Sequence, residues 1–247
     1  MKLQKLAITL SWLAISACST ALVPQKNIVT QTKLDTSIKE DEAIKSFYYR
    51  YKVTLDSQMN ETIVYSEVEM QKGTSETILG NFFSDAIASA CKKRGVDFDF
   101  AMPSTNGGIR ASLPKGAIKL QNAFELMPFE NELVVLYLDG SSVKKLVQFI
   151  VDKGGQPISG IRIEAQKGNI VNITINNLPF EVNKTYRVLT SDYLANGGDD
   201  IEAFKGAYKR EPLAVKVRDA IIEHMRNENS AGRKLNPSID GRLKIER

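Results

Sequence analysis

The sequence predicts a mixed α/β (α+β) domain, because segments with helical periodicity alternate along the chain with segments of strand character. Hydrophobic residues make up 43% and charged residues 25% of the 247 positions, which is typical of a packed globular protein. The sequence contains no internal repeat and only one linker-like polar stretch, near its start. These observations indicate one domain, which we place at residues 43–247.

Helix and strand patterns follow one another through this domain. Apolar residues recur at helical spacing over residues 44–59, which predicts an amphipathic helix. Residues 141–154 predict another helix, with Ser141 or Ser142 as its N-cap. The other predicted elements are strands at 61–70, 97–103, 132–140 and 184–196, a hairpin at 159–176 with its turn at Lys167-Gly168-Asn169, a helix at 79–93 and a closing helix at 213–227.

Residues 1–17 have the organisation of a bacterial lipoprotein signal peptide. A basic start is followed by an apolar run at residues 6–15, which is too short to span a bilayer. Small residues then precede Cys18, as in the lipobox, so we expect acylation of this thiol and a lipid anchor on the extracytoplasmic side of the cell envelope. The alternative is an ordinary secretory signal with an incidental cysteine. Residues 18–42 are polar and predict a flexible tether.

The net charge and the cysteine content indicate which partners and which disulfides the chain is not expected to have. The net charge of +4 includes Lys2 and Lys5 of the signal, and it is too small to indicate nucleic acid or a charge-driven membrane contact as partner. With Cys18 assigned to lipid, Cys91 has no second cysteine in the chain with which to form a disulfide. We therefore expect Cys91 to be a buried structural thiol.

Two segments have the composition of ligand-binding loops. Asn106-Gly107-Gly108-Ile109-Arg110 follows a predicted strand, and its paired glycines allow backbone amides to approach a ligand closely. Arg110 can form forked hydrogen bonds to oxyanions or ribose oxygens, although Asn-Gly-Gly is also a common turn. Pro128-Phe129-Glu130-Asn131 leads into the apolar strand, and Phe129 taken alone is more typical of a core residue.

A third segment spans residues 192–199. In it Tyr193 is followed six residues later by Asp199, with Gly197 and Gly198 between them. This spacing suits a stacked base and a ribose diol, because the ring offers a face to a base and the carboxylate accepts two hydroxyl hydrogens. Taken singly, Tyr193 is typical of a core and Asp199 of a turn.

In combination and order, these segments resemble the C-terminal, substrate-binding domain of the 5′-nucleotidase family, which includes UDP-sugar hydrolases and 2′,3′-cyclic phosphodiesterases. The resemblance covers about residues 45–247 and implies a layered α/β/β/α fold. The residues that carry it, besides the three segments above, are Glu76, Leu79-Gly80-Asn81, Asp85-Ala86, SGIRI at 159–163, TYRV at 185–188, VRDA at 217–220 and Asp240-Gly241-Arg242.

The resemblance also implies a role for each site residue. A base would lie between Phe129 and Tyr193, with Asn131 contacting the base. Asp199 would bind the ribose, and Arg110 the ribose or the phosphate. The predicted substrate-binding residues are therefore Asn106, Gly108, Arg110, Phe129, Asn131, Tyr193 and Asp199.

The sequence departs from the family's pattern at three positions. Thr105 stands where family members usually have an asparagine, five residues before the arginine of this loop. Asp200 replaces a glycine, and Lys72 is the only basic residue near the place of an arginine that often precedes Leu-Gly-Asn. Lysine cannot reproduce the bidentate fork of arginine.

A larger departure concerns metals. Full-length members of the family carry a metallophosphoesterase domain, in which two metal ions activate a water. This sequence has a single histidine, His224, which we interpret as a surface or helix-packing residue, and no Asp-x-His or Asn-His motif. We therefore expect no metal or other cofactor in this chain, and expect divalent metals to be bound by a separate partner.

The function expected from these features is the nucleotide- or nucleoside-binding half of a split 5′-nucleotidase, acting with a separate metallophosphoesterase chain. Two alternatives remain at this point. One is a non-catalytic lipoprotein that scavenges or senses nucleosides, and the other is a decayed domain that serves as a scaffold in the cell envelope.

Overall fold

A computed structural model of the chain describes residues 29–246. The predicted signal peptide, the acylation site Cys18 and the first part of the predicted tether lie outside these residues. In the stretch from 29 to 246, no helix combines the length and the apolar character that are needed to cross a membrane.

The helices and strands alternate along the described chain, as the sequence predicts. The helices are α1 (Glu42–Met59), α2 (Ile78–Lys93), α3 (Leu120–Leu126), α4 (Gly140–Asp152), α5 (Asp192–Ala195) and α6 (Val217–Ser230). The strands are β1 (Thr62–Ser66), β2 (Phe100–Ala101), β3 (Gly116–Lys119), β4 (Glu132–Asp139), β5 (Ile161–Gln166), β6 (Asn169–Ile175), β7 (Leu178–Pro179), β8 (Thr185–Ser191), β9 (Lys209–Lys216) and β10 (Leu243–Glu246).

Helix α1 confirms the first predicted helix. Asp41 caps it, because its Oδ1 accepts hydrogen bonds from the backbone N–H groups of Ala43 (2.9 Å) and Ile44 (3.1 Å). The boundary between two compact units of the chain falls inside this helix, between Tyr48 and Tyr49. The start of the domain at residue 43 stays a prediction.

The central sheet has the strand order β2-β8-β4-β9. Strand β4 pairs antiparallel with both β8 and β9, whereas β2 runs parallel to β8. The side chains of β4 are buried on both faces, with Leu133 and Val135 in one core and Val134 and Leu136 in another. Burial on both faces explains why this strand is a continuous apolar run in the sequence.

Two apolar cores lie on opposite faces of the central sheet. Helices α2 and α6 and the small β1-β3 sheet pack into the first core. Helix α4 and the second four-stranded sheet, of order β10-β5-β6-β7, pack into the other. This mixed, layered arrangement confirms the predicted α/β fold class.

Three predicted details are wrong. Asp139, rather than Ser141 or Ser142, is the N-cap of α4, because its carboxylate accepts a hydrogen bond from the Ser142 N–H at 2.7 Å. The strand predicted at 184–196 ends at Ser191, where helix α5 begins. Residues 213–216 belong to β9, and strand β10 rather than a helix closes the chain.

Strand β10 is fixed by a buried arginine. Arg242 is only 9% exposed, and its guanidinium donates paired hydrogen bonds of 2.8 Å to the carboxylate of Asp85. It also donates to the carboxylate of Asp240 and to the Ile158 carbonyl, each at 2.8 Å. Bidentate pairs of this kind are directional as well as strong. The Asp85 and Asp240-Gly241-Arg242 motifs thus hold the C-terminal strand against α2.

Cys91 is buried in the apolar interior, whereas His224 is half-buried on helix α6. Cys91 is fully buried, as predicted, and burial raises the pKa of its thiol to about 11, so it is not a reactive thiolate near neutral pH. His224 packs edge-on against Phe82 with ring centroids 6.1 Å apart. Its Nδ1 has no hydrogen-bond partner among the described residues, and burial lowers the pKa of the imidazole.

His224 is expected to make stability depend on pH. Its pKa lies below the usual 6.5 in the folded protein, so the unfolded chain takes up a proton first as the pH falls. The stability contributed by neutral His224 is present above pH 6.5 and is lost as the pH falls through the lower folded pKa. We expect the urea midpoint to fall less between pH 7 and pH 5 in His224→Leu than in the wild type. Parallel curves for the two proteins would contradict this assignment.

Candidate functional site

The three candidate segments meet at one edge of the central sheet. Strands β2 and β8 are parallel, so the loops that follow them leave from the same edge. Strand β4 is antiparallel to β8, with Leu133 opposite Ser191, so the segment that precedes β4 lies at that edge too. A cavity of about 340 Å³ opens there, within the range of ligand pockets. It is lined by Ser104, Gly107, Gly108, Arg110, Phe129, Asn131, Tyr193 and Asp199.

Two aromatic rings line this cavity. Phe129 is 39% exposed and Tyr193 is 49% exposed, so neither ring is buried in a core. Exposed aromatic rings in a common concave site provide flat surfaces against which a planar ligand can stack. The structure therefore places both residues at the cavity and not in a core, and their role in binding stays a prediction.

Asp192 holds Tyr193 beside the start of β4. Its Oδ1 accepts hydrogen bonds from the backbone N–H groups of Tyr193 (2.7 Å) and Glu132 (3.1 Å). The ring of Tyr193 lies against Gly198, where a Cβ would come within 2.5 Å of a ring carbon. Any larger residue at 198 would displace the ring, which gives this glycine a packing role.

The carboxylate of Asp199 is held by two hydroxyl groups. The Tyr193 hydroxyl donates to its Oδ1 at 3.0 Å, and the Thr105 hydroxyl donates to its Oδ2. The hydrogen bond to Asp199 raises the pKa of Tyr193, because removing the phenolic proton would place two negative charges together. Asp199 and Asp200 have φ angles of 54° and 58°, in the left-handed region. Thr105 thus belongs to the site, although its sequence position gave no sign of this contact.

Arg218 holds the loop that carries Phe129 through hydrogen bonds and an ion pair. This buried side chain donates to the backbone carbonyls of Met127 (3.3 Å) and Phe129 (3.4 Å) and pairs with the carboxylate of Glu130. Lys216 also pairs with Glu130, and hydrogen bonds from the two cations lower the pKa of this carboxyl to about 2. Glu130 therefore stays ionised, and able to pair with both cations, across the pH range in which proteins normally work.

The glycine loop brings positive charge to the cavity. Arg110 is exposed and lines the cavity, and its Nη1 donates to the Gly107 carbonyl at 3.2 Å. Lys72 lies nearby, with its Nζ 3.4 Å from the Arg110 carbonyl oxygen. Gly108 approaches Ser104 so closely that a Cβ would come within 2.1 Å of the serine Oγ. A larger residue at 108 would require the Ser104 side chain to change its rotamer.

The two asparagines of the predicted site differ in placement. Asn131 lines the cavity, and its backbone carbonyl accepts a hydrogen bond from Val217 N–H at 2.9 Å. Asn106 does not line it, because its side chain donates to the Gly155 carbonyl at 2.9 Å. Its backbone N–H donates to Gln156 Oε1 at 2.8 Å. Six of the seven predicted binding residues thus line one cavity. Asn106 does not line it and instead bonds the glycine loop to residues 155 and 156.

Metal ligands form no cluster in the described structure. Within residues 29–246 there is no group of three or more histidine, cysteine, aspartate or glutamate side chains placed to hold a metal ion. Asp199, the acidic residue in the lining of the cavity, accepts hydrogen bonds from the hydroxyl groups of Thr105 and Tyr193.

The sequence matches a known protein family and several characterised proteins. Residues 57–206 match the family described as 5′-nucleotidase, C-terminal domain. The trifunctional nucleotide phosphoesterase protein YfkN of Bacillus subtilis is 26% identical over 89% of this chain, which spans 16% of that protein. The cell wall protein Lmo0130 of Listeria monocytogenes is 27% identical over 68% of this chain and is covered over 23% of its own length.

A solved structure has the same fold. The 5′-nucleotidase precursor from Thermus thermophilus superposes with a TM-score of 0.70 at 24% identity, over 84% of this chain and 44% of that protein. The present chain therefore spans less than half of the length of each of these three proteins.

Proposed function

Because the chain belongs to the 5′-nucleotidase C-terminal domain family, we propose that its cavity binds the nucleoside part of a nucleotide. The observation that carries this proposal is the convergence of Arg110, Phe129, Tyr193 and Asp199 from three separate segments on one cavity of about 340 Å³. Each residue type suits one part of a nucleotide, and the cavity brings them within reach of a single molecule.

The base is placed between the rings of Phe129 and Tyr193. Stacking of a base on an aromatic side chain contributes about 1–3 kcal/mol and tolerates different bases, because every base has a π-face. Asn131, which lines the same cavity, has an amide that can both donate hydrogen bonds to a base edge and accept them from it. Asp199 receives the ribose hydroxyls, and Arg110 receives ribose or phosphate oxygens.

The phosphate chemistry is assigned to a separate metallophosphoesterase chain. A two-metal site draws on several histidine, aspartate and asparagine ligands. His224 is the single histidine of this sequence, and it is half-buried against Phe82 rather than lining the cavity. Divalent metals and the attacking water would then come from the partner, whereas this chain would bind and orient the nucleoside.

Calorimetry and phosphate release together test this division of labour. We expect the full chain to bind adenosine and AMP, and to release no phosphate from AMP with added Mn²⁺ or Zn²⁺. Addition of the metallophosphoesterase that co-purifies with the chain should produce release of phosphate from AMP. Substantial hydrolysis by the pure chain would contradict the split enzyme, and absence of binding would contradict the nucleoside site. Binding without any co-purifying phosphoesterase would favour the scavenging or sensing alternative.

We also propose that the chain is held at the bacterial cell envelope by a lipid on Cys18. The supporting observation is the sequence of residues 1–18, in which the cysteine follows small residues and an apolar run. Membrane fractionation tests this proposal. The wild type should sediment with membranes and Cys18→Ala should not, and equal distribution of the two proteins would count against the anchor.

Asp200 is expected to weaken the binding of phosphate-bearing ligands. It adds a negative charge next to Asp199 and has a φ of 58°, which glycine adopts without strain. We expect Asp200→Gly to bind AMP about two- to fivefold more tightly than the wild type, the scale of one exposed charge. Asp200→Asn removes the charge alone and should give part of this gain with AMP and little with adenosine. An equal gain for both ligands in Asp200→Asn would contradict the charge effect.

A further inference from the structure

The Thr105 hydroxyl is an unassigned part of the nucleoside site. Thr105 is only 5% exposed and does not line the cavity, yet its hydroxyl donates to the cavity-facing Asp199 across 94 positions of the chain. Tyr193 donates to the other oxygen of the same carboxylate at 3.0 Å. The two donors come from different elements, because Thr105 lies in the loop after β2 and Tyr193 lies in helix α5, which follows β8.

Two donors from different elements fix the orientation of this carboxylate. Asp199 is exposed and lies on a turn with a left-handed backbone, and the hydroxyls of Thr105 and Tyr193 are the donors that hold its two oxygens. A carboxylate has about four acceptor positions, and the two internal hydroxyls use two of them. The remaining two match in number the hydroxyls of a ribose 2′,3′-diol.

We propose that Thr105 is a positioning residue which, with the Tyr193 hydroxyl, orients Asp199 for the 2′,3′-diol and thereby sets the preference for ribonucleosides over dideoxynucleosides. This inference rests on the proposed nucleoside site and adds a determinant of its sugar selectivity. Thr105 itself stays out of contact with the ligand and acts through Asp199.

A purely structural role for Thr105 makes a different prediction. If its hydroxyl only joins the loop after β2 to the loop after β8, its loss should weaken every ligand of the cavity to the same degree. If it orients Asp199, its loss should weaken only ligands that carry a diol. Adenosine and 2′,3′-dideoxyadenosine share the base and differ in this feature, so the ratio of their affinities separates the two roles.

The experiment measures both affinities by calorimetry in the full chain. Thr105→Val replaces the hydroxyl with a methyl group of similar size, and we expect it to weaken adenosine about tenfold, which is the scale of one hydrogen bond to a charged group. Dideoxyadenosine binding should change by less than about twofold. Thr105→Ser keeps the hydroxyl and should retain the wild-type ratio. Tyr193→Phe keeps the ring and removes the other hydroxyl donor. It should therefore weaken adenosine but not dideoxyadenosine, and because Tyr193 is exposed this variant does not disturb a buried position.

A double-mutant cycle identifies Asp199 as the group through which Thr105 acts. In an Asp199→Asn background, Thr105→Val should cause little further loss of adenosine affinity, because the carboxylate that it orients is already gone. Three results would overturn this inference without affecting the proposed nucleoside site. They are equal losses of affinity for both ligands, additive losses in the cycle, and a wild-type affinity ratio in both Thr105→Val and Tyr193→Phe. A wild type that binds neither ligand would overturn the proposed nucleoside site itself.

Discussion

Replacement of Arg242 by methionine is expected to lower the free energy of unfolding by about 2–4 kcal/mol. The guanidinium is 9% exposed and holds the carboxylates of Asp85 and Asp240 as well as the Ile158 carbonyl. Methionine fills similar volume but donates no hydrogen bond, so two like charges and a buried carbonyl lose their common partner. Both carboxylates are partly exposed, and water offsets some of this loss.

Arg162 provides a matched control for this measurement. It also contacts Asp240, donating to its backbone carbonyl at 2.9 Å, but its side chain is 46% exposed. We expect Arg162→Met to change the unfolding free energy by less than about 1 kcal/mol, as exposed ion pairs do. Urea denaturation of the three proteins under identical conditions gives the comparison. Similar losses for both variants would show that burial does not set the contribution of Arg242.

Replacement of Phe129 by alanine is expected to weaken adenosine binding about 10- to 100-fold, because stacking of one base contributes about 1–3 kcal/mol. The ring is 39% exposed and lines the cavity, so its removal deletes one of the two stacking surfaces. Little effect on stability is expected, because the loop is fixed through its backbone and Glu130 by Arg218.

Two control variants separate stacking from a general loss of apolar surface. Phe129→Tyr keeps an aromatic face and should bind adenosine within about threefold of the wild type. Tyr208 is 65% exposed and does not line the cavity, so Tyr208→Ala should leave adenosine affinity unchanged. Calorimetric titration gives all three affinities. Wild-type affinity of Phe129→Ala for adenosine would contradict the proposal that the base stacks on Phe129.

The three candidate segments are predictable from sequence because each one lies at an end of a recognisable strand. Glycine pairs, aromatic residues and a carboxylate at fixed offsets mark the segments at 106–110, 128–131 and 192–199. Their convergence is not visible in the sequence itself. It depends on the neighbours β2, β8 and β4 in the central sheet, which are paired across long separations in the chain.

Sequence patterns point to the residues that hold the site together but not to their contacts. Thr105, Asp192 and Arg218 lie in or beside the segments that carry the family resemblance, and they form hydrogen bonds with residues that are 94, 60 and 88 positions away, respectively. No local periodicity or spacing reports such a contact. Asn106 shows the opposite case, because its motif places it in the binding loop whereas its side chain turns to the Gly155 carbonyl.

Edge strands are a second kind of element that the sequence patterns do not predict. Residues 213–216 continue without a break into the helical pattern that follows, and only pairing with β4 makes them part of β9. Strand β10 similarly exists because β5 offers it a parallel partner, from Leu243 opposite Ile163 onward. Tertiary pairing decides the conformation of both segments, in preference to local propensity.

A crystal structure of the full chain grown with adenosine tests the nucleoside site most directly. The account predicts a base between the rings of Phe129 and Tyr193, with both ribose hydroxyls on the carboxylate of Asp199 and the Thr105 contact retained. Adenosine bound at another surface, or a cavity that stays empty at ligand concentrations that saturate the chain in calorimetry, would contradict it.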